Sequence, residues 1–225
     1  MASRTAVSIS SEALGTALLL AVIVGSGIMA EQLAHGNIAI ALLANAIATG
    51  AALFALITIF APQSGAHFNP LVTLAEYLDR NLSARHTFIT ISAQIIGAIV
   101  GVIVAHAMFA LPLLQQSQHT RHGNGQWLSE FIATFGLLTV ILHCRQFRPQ
   151  ATPAVVAAYI TAAYWFTAST AFANPAVTLA RALTDTFAGI HPHDVPPFIA
   201  AQLLGALAAW AYFRWAINTV SQEKT

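Results

Sequence analysis

Residues Phe172–Leu183 read FANPAVTLARAL, and about a hundred residues earlier His67–Leu78 read HFNPLVTLAEYL. Aligned on their Asn-Pro pairs, the two stretches agree at seven of twelve positions. Asn followed by Pro is helix-start chemistry. Asn69 and Asn174 can cap free backbone N–H groups, and Pro70 and Pro175 suit the first helical position, where no N–H is needed. Each stretch then runs apolar for about ten residues before Asp79 or Asp185. A helix of that length rises about 15 Å, half of a hydrocarbon core about 30 Å thick. Two such half-helices meeting start to start at the midplane would complete one span. Their positive dipole ends and capping amides would face each other inside the membrane.

The surroundings fit that picture. The 225 residues are 57% apolar and only 8% charged, against about 25% charge in an average soluble domain. That composition excludes a soluble domain and points to a polytopic membrane protein. A net charge of +1 gives no reason to expect nucleic acid. Cys144 is the single cysteine, so no internal disulfide can form. Arg4 before an apolar run imitates a signal peptide, but Glu12 interrupts that run and at least five more apolar segments follow. The segment reads as a retained first span.

Six segments are long enough to cross: 9–30, 38–60, 87–111, 127–144, 154–169 and 196–217. The fold class expected is an all-α membrane bundle of six transmembrane helices plus two re-entrant half-helices, forming one channel domain. The order span-span-half-span occurs twice, in repeats of about 1–116 and 117–225. Glu12 is echoed by Glu130, and AQIIGA at Ala93–Ala98 by AQLLGA at Ala201–Ala206. Three spans per repeat make the second copy inverted relative to the first. The polar stretch 112–126 is read as the loop that joins them. With both termini inside, Arg4, Arg80, Arg85, Arg145, Arg148, Arg214 and Lys224 are cytoplasmic, and only Arg121 and Arg181 lie outside, as the positive-inside rule asks.

The paired boxes, Asn69-Pro70-Leu71 and Asn174-Pro175-Ala176, resemble the double signature of the major intrinsic protein family, the aquaporins and aquaglyceroporins. The likeness spans nearly the whole chain, with departures at Leu71 and Val177. It implies a passive channel with no chemistry and no cofactor, assembled as a homotetramer in the lipid bilayer of a bacterial inner membrane. It further implies that Asn69 and Asn174 donate N–H groups to a passing solute, and that Glu12 and Glu130 accept hydrogen bonds from the re-entrant loops. A carboxylate inside a span is costly and is a functional candidate in its own right. Gln94 and Gln202 are paired in the same way and read as interhelical hydrogen-bond partners. His67 is either a pore-lining histidine or a loop histidine bonded to a backbone carbonyl. Gly97, Gly101, Gly205 and their like mark close helix contacts, and Ser26 between two glycines reads as packing, not as a nucleophile. His35, His119, His122, His191 and His193 fall on outer loops, and no metal site is expected from them.

In the family, four constriction positions lie at fixed offsets from the boxes. Carried over, they are Thr49, Ala162, Ala171 and Val177, with no aromatic, no His and no Arg among them. The expectation is a wide, apolar constriction that favours small neutral solutes bulkier than water. The segment NPAVTLARALTDT looks like that of bacterial members associated with arsenic resistance, which implies arsenous acid, methylated arsenicals, glycerol or urea. An ordinary water and glycerol channel is the alternative. An ion-coupled transporter also uses inverted repeats, but it would want carboxylates at the helix breaks. Arg181 either faces the outer vestibule or pairs with Asp185 at i,i+4.

Overall fold

A computed structural model describes residues 3–222, which leaves Lys224 outside the described residues. Eight α-helices occur among them, and no strand. The first repeat holds α1 (Arg4–Leu33), α2 (Ile38–Ser64), the short α3 (Pro70–Leu78) and α4 (Ala84–Met108). The second holds α5 (Asn124–Phe147), α6 (Thr152–Phe166), the short α7 (Pro175–Arg181) and α8 (Val195–Gln222). Five helices (α1, α2, α4, α5 and α8) are long and apolar enough to cross a membrane. The sixth crossing, α6, is shorter than 154–169 suggested: it has 15 residues and ends where Thr167 turns extended. A 3-10 turn at Pro149–Ala151 leads into it.

The two repeats pack alike. α1 lies against α4 and α2, α5 lies against α8 and α6, and α2 meets α6 across the seam. Glycine sets how close these pairs come. A Cβ on Gly97 or Gly101 would collide with the Ala13 or Ala17 carbonyl of α1, and one on Gly205 with the Phe131 carbonyl of α5. Backbones in contact at matching places in both repeats give van der Waals packing in a medium where apolar burial alone drives little helix association. The outer surface keeps large apolar side chains exposed, among them Leu33, Phe88 and Trp215, as a lipid-facing surface requires.

The half-helices start as the Asn-Pro reading requires. Asn69 accepts from the Leu71 N–H at 2.9 Å, and Asn174 accepts from the Ala176 and Val177 N–H groups at 3.0 and 3.3 Å. α3, with nine residues, fills its apolar run up to Asp79, but α7, with seven, is shorter than its run because it breaks after Arg181, well before Asp185. The joining stretch is a largely exposed loop, as read, and it also pairs with the chain that follows α7. Gln115 and Ser117 donate their N–H groups to the Leu183 and Ala182 carbonyls at 3.0 and 3.1 Å, and the His191 N–H reaches the His119 carbonyl at 2.7 Å. This strap lies across the segment that follows α7.

Candidate pore

The two loops that lead into α3 and α7 have matching backbones. Gly65, Ala66 and Phe68 take positive φ in the first, and Thr170, Ala171 and Ala173 take positive φ at the corresponding places in the second. For a residue with a Cβ this conformation costs about 1–2 kcal/mol, so something must hold it. The holder is a buried carboxylate in each repeat. Glu12 accepts from the His67 and Phe68 N–H groups at 2.9 and 2.8 Å, from the Ser64 hydroxyl at 2.6 Å and from the Gln94 amide at 2.8 Å. Glu130 accepts from the Phe172 and Ala173 N–H groups, both at 2.9 Å, and from the Gln202 amide at 2.6 Å. Gln94 and Gln202 also donate to Thr73 and Thr178 of the half-helices, at 2.9 and 2.8 Å. Both glutamates are fully buried, and charge-assisted bonds of this kind are about twice as strong as neutral ones.

The asparagines do more than cap. The Asn69 Nδ2 donates to the Ala173 carbonyl at 2.8 Å, and the Asn174 Nδ2 donates to the Phe68 carbonyl at 2.7 Å. Each box is therefore tied to the loop of the other repeat. An amide nitrogen carries two N–H groups, so these ties leave one uncommitted on each asparagine.

Both asparagines line a single cavity that runs through the bundle. The end carrying the start of α1 and the end of α8 is called the inner end here, after the orientation expected from the sequence. There Arg145, His67 and Thr152 line it. Arg145 pairs with Glu76 of α3 and donates to the Gly65 carbonyl at 3.2 Å, which joins α5 to the first re-entrant loop. The His67 Nδ1 lies 3.0 Å from the Thr73 hydroxyl, so this histidine lines the cavity and bonds to a side chain instead of a carbonyl. Apolar residues of α1, α2, α5 and α6 form the walls between the ends.

At the outer end, Thr49, Ala171 and Val177 line the cavity as expected. Ala162 does not. It sits on the exposed face of α6, and its neighbours Thr161 and Ala163 do not line the cavity either. Thr152, Val156, Ile160 and Tyr164 make the cavity-facing stripe of α6, each four residues from the last. Ala162 is two residues off that stripe, a rotation of about 200°. An offset counted back from Asn174 crosses the irregular segment 167–173, where helical phase is lost. Tyr164 takes the place, and its hydroxyl lies 3.2 Å from that of Thr49. The constriction thus contains an aromatic ring that the offsets left out. The i,i+4 spacing of the stripe was the signal that could have found it.

Arg181 is also in the wall. It is 2% exposed, lines the cavity, donates its Nε to the Ala188 carbonyl, and lays its guanidinium on the Phe172 ring with its centre 3.4 Å from the centroid. The pair with Asp185 does not form, because Asp185 accepts instead from the Gln118 N–H at 2.8 Å. Arg121, from the strap, approaches Phe172 at 5.0 Å and donates to the Gly189 and Ser169 carbonyls at 2.8 and 3.3 Å. Among the described residues, Arg145 and Arg181 are the charged groups that line the cavity, and no carboxylate does. Glu76, Arg121 and Tyr164 are neighbours of these wall residues that the reading of the sequence did not include.

The outer histidines are occupied elsewhere. Asp194 accepts from the Arg121 N–H at 2.7 Å and lies 3.2 Å from His122, while the His191 and His193 rings meet edge to face 5.0 Å apart. Ser26 donates to the Val22 carbonyl at 2.6 Å and accepts from Asn45 at 2.8 Å, as a packing residue would.

Two capped half-helices, cross-tied at the centre of a six-helix bundle around a lumen, form the architecture that the paired boxes suggested. Residues 2–164 match the major intrinsic protein family. The chain belongs to that family. It is 55% identical over 208 residues to the aquaglyceroporin AqpS of Rhizobium meliloti, across 92% of this chain and 89% of the relative. A glycerol uptake facilitator protein-like 6 of Lactiplantibacillus plantarum is 34% identical over 139 residues, 59% of this chain and 61% of its own length. The X-ray structure of the aquaglyceroporin from Plasmodium falciparum superposes with a TM-score of 0.72 at 20% identity, over 93% of this chain and 95% of the other. That likeness establishes the fold. As in other members of the family, the chain is a multi-pass membrane channel, not an enzyme.

Proposed function

We propose that this channel passes neutral hydroxylated or amide solutes larger than water, such as glycerol, urea and arsenous acid, together with methylated arsenicals. The observation that carries the reading is the outer end of the cavity, where the small Thr49, Ala171 and Val177 stand beside the larger Tyr164, Phe172 and Arg181 and leave one side of the passage unobstructed by bulky groups. The remaining N–H groups of Asn69 and Asn174 then meet the solute oxygen at the centre. A water held there has its lone pairs engaged and cannot relay a proton. Half-helix starts and wall arginines raise the potential against cations. The absence of a lining carboxylate among the described residues counts against ion coupling.

Tyr164 supports a second reading, an ordinary water and glycerol channel without a metalloid role, because its ring takes space that an alanine would leave open. We propose a bacterial inner membrane as its location, with both termini cytoplasmic; the arginine distribution and the bacterial relatives support that reading. The expected assembly is a homotetramer, which cross-linking of the purified protein tests. A swelling panel in proteoliposomes, comparing water, glycerol, urea and arsenous acid, separates the solute readings. Flux of glycerol and arsenous acid well above bare liposomes supports the first, glycerol without arsenous acid the second. Water alone removes the wide-constriction argument.

A further inference from the structure

We infer that Arg145 forms a crossbar at the inner mouth of the cavity and limits the width of the solutes that pass there. The inference rests on the passive-channel reading above and adds a size limit at the end away from the outer constriction. Arg145 stands in the last turn of α5 and lines the cavity. One terminal nitrogen of its guanidinium pairs with Glu76 of α3, and the other donates to the Gly65 carbonyl at 3.2 Å. A planar group bound at two points is fixed in direction as well as in place. α3 packs chiefly against α4, α8 and α7, and Arg145 reaches it from a helix outside that set. The side chain thus bridges α5 and the first re-entrant loop.

The internal repeat shows that the fold does not need this pair. Glu12 and Glu130 are equivalent, and counting onward inside their helices keeps helical phase. Fifteen residues after Glu130 comes Arg145, and fifteen after Glu12 comes Gly27. Seven residues after Asn69 comes Glu76, and seven after Asn174 comes Arg181. The outer end therefore holds a glycine and an arginine where the inner end holds an ion pair. That glycine packs beside Phe187 and Ala188 instead. Both re-entrant loops are nevertheless braced by their glutamates in the same way. Glu76 is also badly placed for its own helix. It lies in the last turn of α3, where the helix dipole disfavours a carboxylate, and Arg145 and the Asn81 amide offset that cost.

The inner end is tightly packed. A Cβ on Gly65 would lie 2.9 Å from the His67 Nε2. Thr152 lines the same end, yet its hydroxyl is buried and has no hydrogen-bond partner among the described residues. The Arg145 and Glu76 side chains are 28% and 18% exposed. An ion pair that open to water is of modest strength, so the bar lifts and returns. A slim solute passes beside it, and a wider one waits for it to lift.

Arg145 also has a purely structural interpretation, in which it only braces the loop at 65–69. The two interpretations predict changes of opposite sign. Loss of a brace lowers the flux of every solute. Loss of a bar raises flux, most of all for wide solutes. The experiment compares glycerol with 2-methylglycerol, which carries the same three hydroxyls on a wider carbon frame. Flux is measured in proteoliposomes and normalised to reconstituted protein. The proteins are the parent, Glu76→Gln, and the double variant Arg145→Ala with Glu76→Gln, which leaves no unpaired carboxylate behind.

Glu76→Gln keeps an acceptor for Arg145 but not the charge. It should raise the 2-methylglycerol to glycerol ratio by about two- to fivefold, the population change that loss of one partly exposed ion pair yields. The double variant should raise the ratio further, by at least about fivefold, with glycerol flux at or above that of the parent. If the double variant does not assemble, Glu76→Gln decides alone. A ratio equal to that of the parent overturns the inference, and so does a proportional loss for both solutes. Glycerol flux at the level of bare liposomes in the parent and in every variant would sink the channel reading itself, whereas parent flux with an unraised ratio sinks the crossbar alone.

Discussion

Replacing Glu130 with leucine tests whether buried carboxylates hold the re-entrant loops. Three donors point at this side chain: the Phe172 and Ala173 N–H groups at 2.9 Å and the Gln202 amide at 2.6 Å. Leucine accepts none of them, and a buried donor left without a partner costs about 1–3 kcal/mol. The sum is about 3–9 kcal/mol, and the lower half of that range is expected because the loop can relax and water can enter from the lumen. Relaxation has its own direction. Ala171 and Ala173 sit at φ of 51° and 48° and would return to ordinary backbone once released, which moves Phe172 and the constriction with them. Glutamine is the graded control. Its one carbonyl oxygen, placed where Oε2 lies, still accepts from Ala173 and Gln202, but its NH₂ faces the Phe172 N–H. One donor in three is lost, at about 1–3 kcal/mol. Thermal midpoints in detergent should therefore fall in the order parent, Glu130→Gln, Glu130→Leu, with glycerol flux in proteoliposomes following the same order. A leucine variant that melts with the parent and conducts glycerol equally would refute the idea that this carboxylate braces the loop.

Further outcomes are expected at the box, the constriction and the helix contacts. Asn69→Asp keeps a good N-cap for Leu71 but turns a carboxylate toward the Ala173 carbonyl, so it should lose about 1–3 kcal/mol and most flux; unchanged flux would mean that the amide donor is dispensable. Val177→Arg sets a second guanidinium one turn from Arg181 in the cavity wall, where the lumen can hydrate it, and should cut glycerol flux more than water flux. Equal loss of both would place Val177 outside the selective step. Gly101→Leu drives a side chain into the Ala17 carbonyl and should abolish recovery of monodisperse protein, whereas Gly125→Leu, with open space around it, should be silent by size-exclusion profile.

What was legible in the sequence is whatever repeats. Asn-Pro with its short apolar run, the paired glutamates and the paired Ala-Gln motifs each occur twice. Symmetry then turned local chemistry into architecture, and all of these landed at matching places. The second half-helix was expected too long because apolarity persists past Arg181, while the backbone there is turned by the strap at 115–119, which pairs through main-chain groups that leave no pattern in sequence. Ala162 failed for a different reason. A count of residues preserves helical phase only inside a helix, and the segment 167–173 is not one. Arg145 and Glu76 lie 69 residues apart and meet only after the repeats interlock, so neither advertised the other.

The mutual tie of the boxes has a consequence for how the protein is made. Asn69 is completed by a carbonyl 104 residues further along, and Asn174 by one 106 residues behind it. At about 5–20 residues per second, translation separates the two by roughly 5–20 s. Throughout that interval the first half has its helices and its Glu12 brace, but the donor on Asn69 has nothing to bond, and its loop faces an unfinished lumen. The first repeat is in effect a mould awaiting its cast. Expressed alone it should insert and stay open to proteases at 65–69, and adding the second repeat as a separate chain should close it.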